Sequence, residues 1–213
     1  MDDQAPSQAN VPAAGADLWD VQDIVRELGE ARRQWRNANS QHTEHGVQGF
    51  PSRVRLVKVI EELCGALFPL RLGPDFVRPH NEDKFVLQTL QIAFSRLQAQ
   101  LRLELSYAGD ERDREQADDS ATRMVLALGR QLPAIRRLLD IDIEAAFRGD
   151  PSARSLDEVL ICFPGLLAII HHRLAHALHL LGAPLVARII SEISHGQTGI
   201  DIHPGAQIGK GFF

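Results

Sequence analysis

The sequence predicts a mainly α protein: a multi-helix N-terminal domain followed by the first coil of a left-handed parallel β-helix. Two observations carry this expectation. Apolar residues recur at three- and four-residue spacing through most of the 213 residues, the signature of amphipathic helices. After Gly199 the period becomes six: Ile202 and Ile208 stand six apart, and Gly205, Gly209 and Gly211 mark corners. In a hexapeptide coil one aliphatic residue in six points inward and small residues turn the corners. A β-helix buries its core only when several coils stack. About one is present here, so the chain is expected to stop before most of the β-helix.

Residues 1–16, rich in Ala, Pro, Gln and Asn, are expected to form a disordered tail. The helical domain is expected over 17–196 and the incomplete coil over 197–213. Asp17 can cap a first helix, in which Leu18, Val21, Val25 and Leu28 recur at helical spacing. Residues 37–49 are polar, include His42 and His45, and read as a loop. Ser52 opens a second helix whose apolar side is Val54, Leu56, Val57, Ile60, Leu63 and Leu67, ending near Phe68 and Pro69. Pro74 and Pro79 punctuate a connector. A long helix follows from about Glu82, with Val86, Leu90, Ala93, Leu97, Leu101 and Leu105 on one side. The charge run over 109–120 reads as a solvated turn and helix start, leading into a helix over about 120–139. Pro151 forces Asp150 into an extended conformation. Two helices then span about 156–181 and 184–195, with Gly182 as a stop and Pro184 in the first turn, where a missing N–H costs nothing. No internal repeat appears in the helical part.

Composition narrows the function. A hydrophobic share of 44% and a charged share of 24% are those of a globular domain. A net charge of −5 argues against a general nucleic-acid binder, and 6% aromatic residues leave little for base stacking. Cys64 and Cys162 follow no metal-ligand spacing and read as buried free thiols of a reducing compartment. No apolar run reaches the roughly 18 residues that span a bilayer, and the acidic start Met-Asp-Asp-Gln is no secretory signal. A cytoplasmic protein is expected, without a membrane or nucleic-acid partner.

Several groups could carry chemistry. His172, His176 and His179 share a helix face at spacings of four and three. Such spacing can bind zinc, but no Asp or Glu lies within the run, and polar-tipped residues at a helix interface are the plainer reading. No metal is expected. Asp150 sits at a helix-to-helix break, where it either fixes a ligand or caps a turn. Asp157 suits the first turn of the following helix, where the dipole favours negative charge. Asp201 and His203 flank Ile202 and on a strand would share a face, either as an acid–base couple or as a hydrogen-bonded start to the coil.

These residues together resemble the serine O-acetyltransferase family of hexapeptide-repeat acyltransferases. The matching elements are Gly149-Asp150-Pro151, Phe163-Pro164-Gly165, the Arg173 and His176 pair, and the run from Thr198 to Gly209. The match covers about the last third. Residues 50–139 look like the helical N-terminal region of longer bacterial members, and 1–49 match nothing informative. The resemblance implies transfer of acetyl from acetyl-CoA, as co-substrate, to the L-serine hydroxyl, giving O-acetylserine for cysteine biosynthesis, with no tightly bound cofactor. It implies a histidine general base oriented by a carboxylate, trimer-based homo-oligomers with sites between subunits, competition by cysteine, and a cysteine synthase partner that docks on a C-terminal tail. Asp150 matches the aspartate that faces the substrate ammonium. The family's base and its orienting aspartate follow the coil, so both are expected beyond Phe213. His203 matches a structural histidine rather than the base. The other reading of the chain is a non-catalytic helical oligomerisation module.

Overall fold

The computed structural model describes residues 21–39, 49–108 and 111–212. Two compact units divide between residues 44 and 45. In the first, α1 (Val21–Ala38) is an 18-residue amphipathic helix with acidic Asp23 in its first turn and Arg36 in its last. Those charges complement the helix dipole. The proposed cap Asp17 lies outside the described residues. Residues 37 and 38, expected to begin a loop, are still helical.

Among its described residues the second unit holds seven helices: α2 (Arg53–Leu67), α3 (Pro69–Leu72), α4 (Glu82–Ala108), α5 (Glu111–Gly149), α6 (Leu156–Cys162), α7 (Pro164–Leu180) and α8 (Pro184–Thr198). Ser52 caps α2, its hydroxyl accepting the Arg55 N–H, as the sequence suggested. Leu56, Ile60 and Leu63 then fall on one face and are fully buried against Leu97 and Leu101 of α4 and Ile190 of α8. The α7 helix is buried nearly all round, from Leu166 to Leu178, which makes it the central helix of this unit. It packs antiparallel in sequence order against α8 through a tight turn at Gly182, whose φ of 92° favours a residue without a Cβ. Ala183 offers α8 no side-chain cap. The Glu104 carboxylate of α4 does so instead, accepting the Leu185 and Val186 N–H groups at 2.8 Å each.

Three expectations need correction. The helix expected over 156–181 is two helices bent by 75°. Pro164 disfavours helical backbone at Phe163, which is extended at φ −89°, ψ 114°. The helix expected over 120–139 runs instead over 39 residues and through Pro133. Pro133 removes the N–H that would reach the Gly129 carbonyl, yet tertiary packing holds the helix: a Cβ on Gly129 would lie 3.1 Å from Phe94. Residues 200–212 contain no strand. A strand needs a ladder partner, and the described residues offer this segment none. Ile202 and Ile208 nonetheless both pack on the helical core, as inward positions of a six-residue period should. No single helix among the described residues is long and apolar enough to cross a membrane.

Candidate functional site

The C-terminal coil is seated on α5 and α7 by a buried ion pair. Asp142 of α5 is fully buried, and Arg173 of α7 is only 7% exposed. The guanidinium grips both carboxylate oxygens, at 2.6 and 2.9 Å. Its remaining N–H groups reach the coil, donating to the Gly209 carbonyl at 2.8 Å and the Ile208 carbonyl at 3.4 Å. The Asp142 Oδ1 accepts the backbone N–H of Gly211 at 2.8 Å and of Phe212 at 3.1 Å. The pair thus satisfies two carbonyls and two N–H groups of a segment that has no secondary structure of its own. Gly211 permits the turn that aims these N–H groups: its φ of 68° is one that side-chain-bearing residues rarely adopt.

One turn along α7, His176 binds the same segment. Its Nδ1 lies 2.8 Å from the Pro204 carbonyl, a distance that requires Nδ1 to carry the proton. His179 stands edge-on to His203, with ring centroids 6.0 Å apart. Gly205 fits between them, since a Cβ would come within 3.2 Å of both rings. His172 stacks on His176 at 5.6 Å. The histidine face of α7 is therefore the floor beneath the coil. His171 and His172 are buried, and burial lowers both imidazoles from 6.5 to about 4. For His172 the charges of His176 and Arg173 add to that effect, while a hydrogen bond with the Ala206 backbone opposes it. Among the described residues no group of three His, Cys, Asp or Glu side chains converges to hold a metal.

Asp150 follows the last turn of α5, eight residues beyond Asp142. At 1.5 Å per residue that places it roughly 12 Å further along the axis. Pro151 follows it, and the chain turns: the Ala153 N–H donates to the Asp150 carbonyl at 3.1 Å. Asp150 Oδ1 accepts both the Ser152 N–H at 2.8 Å and the Ser152 hydroxyl at 2.7 Å. These two bonds, hydroxyl first, hold its carboxyl below the usual range. It is an ionised, solvent-accessible carboxylate with one oxygen held by Ser152, so it caps the turn, the second of the two sequence alternatives.

Asp157 sits in the first turn of α6, as expected, and also forms a fork-to-fork pair with Arg71 at 2.6 and 2.7 Å. Asp201 and His203 are not brought together as a couple. His203 Nδ1 accepts the Gly205 N–H at 3.0 Å, which starts the coil turn, and Asp201 faces solvent. Cys64 is buried, but Cys162 is exposed, because the break at Phe163 turns its end of α6 outward. A groove of about 570 Å³ opens beside α3 and α4, lined by Phe68, Leu70, Arg71, Glu82, Val86 and Arg136, and includes none of the aspartates or histidines above.

Asp142 escaped the sequence reading. A signal for it existed: Asp142 stands three residues after Leu139 and four before Ala146, both fully buried. A carboxylate in the middle of an apolar stripe calls for a buried cation, and Arg173 is the corresponding anomaly between Ile170 and Leu174.

Over 168 residues, 76% of this chain, the sequence is 42% identical to a plasmid serine acetyltransferase of Synechococcus elongatus, covering 53% of that protein. It is 51% identical over 77 residues to the serine acetyltransferase of Bacillus subtilis, covering 36% of each chain. The fold matches serine acetyltransferase isoform 3 of Entamoeba histolytica, solved in complex with cysteine, with a TM-score of 0.62 and 31% identity over 73% of this chain and 51% of that one. The chain spans about half the length of the first of these relatives. No protein-family model matches it.

Proposed function

We propose that this chain, related in sequence and fold to the serine acetyltransferases, serves the transfer of acetyl from acetyl-CoA to the hydroxyl of L-serine. In that reaction the serine Oγ–H gives its proton to a base, Oγ attacks the thioester carbonyl, the C–S bond breaks, and CoA leaves as the thiol. O-acetylserine is the product, acetyl-CoA is a co-substrate, and no resident cofactor is needed.

The observation that carries the reading is Asp150. Its carboxylate is ionised, fixed on one oxygen by Ser152 and open to solvent on the other, which suits a substrate ammonium. Cysteine presents the same ammonium and carboxylate as serine, so it is proposed to compete at this carboxylate; the Entamoeba relative was solved with cysteine bound. Among the described residues no imidazole hydrogen-bonds a carboxylate, and none is assigned the role of base. The buried joint of Asp142 and Arg173 fixes the coil against the helix that ends just before Asp150, and so sets the position of whatever the coil carries relative to the Asp150 carboxylate. A trimer-based homo-oligomer and a cysteine synthase partner belong to the same proposal.

The test is CoA release by the full product of the reading frame. A thiol reagent is expected to report CoA at a rate that saturates with L-serine. Losing a hydrogen bond to a charged group costs about 1.5–3 kcal/mol, so Asp150→Ala is expected to raise the serine KM roughly 10- to 100-fold and leave that for acetyl-CoA unchanged. Absence of serine-dependent CoA release would contradict the activity. An unchanged serine KM would remove Asp150 from the site.

A further inference from the structure

The α1 helix carries an apolar stripe that no described residue of its own unit covers. No side chain of its 18 residues is buried. Val21, Ile24, Leu28 and Trp35 are 54%, 55%, 52% and 48% exposed. Isolated helices of this length are marginal in water, and Gly29 in the middle weakens this one further. The stripe has a heptad order. Val21, Leu28 and Trp35 recur every seven residues, and Ile24, Ala31 and Ala38 recur every seven, three positions later. Those are the a and d positions of a coiled coil.

We propose that α1 pairs in parallel with α1 of a second copy of this chain. Two features choose this occupant and this orientation. The first is charge. Glu27 falls at a g position on one edge of the stripe, and Arg32 at the e position of the next heptad on the other edge. In a parallel pair g faces e of the following heptad on the other helix. Glu27 then meets Arg32 of the second copy, twice by symmetry. An antiparallel pair would instead set Glu27 against Gln34 and Arg32 against Val25. The second feature is volume. A parallel pair puts the two Trp35 indoles in one layer, and the layers on either side are Ala31 and Ala38, which leave space for them. The Asp23–Arg26 ion pair, 2.8 Å, lies off this stripe and leaves it clear.

Disulfide trapping of the full chain tests this. Val21→Cys is placed in a Cys162→Ser background, because Cys162 is the exposed thiol. At micromolar concentration mild oxidation is expected to convert Val21→Cys to covalent dimer. Glu27→Arg replaces two attractions by two repulsions and is expected to raise the apparent dissociation constant on the order of tenfold, lowering the dimer yield. Glu27→Arg with Arg32→Glu is expected to restore it. All these positions are exposed, and circular dichroism confirms that the helical content is kept. Three results would each overturn the proposal: no Val21→Cys dimer, which would put the stripe on its own chain; dimer only when Val21→Cys is mixed with Ala38→Cys, which would make the pair antiparallel; or a yield indifferent to Glu27→Arg, which would make the crosslink a by-product of contact elsewhere.

Discussion

Removing the Arg173 side chain should release the C-terminal coil and destabilise the helical unit together. In Arg173→Ala the Asp142 carboxylate stays fully buried with only the Gly211 and Phe212 N–H groups facing it. Breaking a buried ion pair from one side costs about 3–5 kcal/mol, because a desolvated charge is left uncompensated. The Gly209 carbonyl also loses its donor at 2.8 Å. Urea unfolding of the wild type and the variant measures the loss. Hydrogen exchange at the Gly211 and Phe212 amides, which donate to Asp142, reports the coil separately. Asp142→Ala should cost as much for a different reason: it strands the guanidinium and both amides. The double variant, Asp142→Ala with Arg173→Ala, leaves no buried charge. Its cost should fall short of the summed single costs by about 2 kcal/mol, while the coil amides still exchange fast. A loss below about 1 kcal/mol in Arg173→Ala, or coil amides that stay protected, would refute the view that this pair is the joint.

Two further outcomes follow from burial. His171 and His172 bind protons in the folded chain only near pH 4, against 6.5 when exposed. The unfolded chain therefore takes up more protons between those values, and stability is full above pH 6.5 and falls as the pH drops toward 4. For His171 alone the difference corresponds to about 3 kcal/mol; urea midpoints at stepped pH should show the decline, and His171→Phe should make it shallower, leaving the His172 share, whereas a flat wild-type profile across this window would contradict the burial. The thiols should differ as sharply. Cys162 is exposed, while burial pushes Cys64 up to about 12, so a thiol reagent at pH 8 should modify one cysteine in the native chain and two in denaturant. Two fast thiols in the native chain would place Cys64 wrongly.

The long helices were legible because their apolar residues repeat over many turns. Ser52 and Pro184 fixed two starts, and Gly182 one stop, through local chemistry that tertiary packing does not alter. The sequence reading failed where tertiary context overrode a local rule, and where a local rule went unused. Pro133 marks no break, as the expected helix over 120–139 already had it, but α5 extends well past both of those ends because it is packed along its length. Pro164 did make a break, and the apolar run across it concealed the corner. At the site, Asp150 was singled out from its position before a proline, and the structure gives it the turn that such a position favours. The Arg173 and His176 spacing has its purpose 28 to 36 residues away, in carbonyls of the coil, where no local rule reaches. Asp142 could not be paired from the sequence, since its partner is 31 residues distant and on another helix.

The most direct measurement is a crystal structure of the full product of the reading frame with L-serine bound. The substrate ammonium is expected at hydrogen-bond distance from Asp150, roughly 2.7–3.2 Å, with Ser152 still holding the other carboxylate oxygen. An L-serine molecule bound elsewhere, with Asp150 facing only water, would contradict the site and leave Asp150 as the cap of a turn.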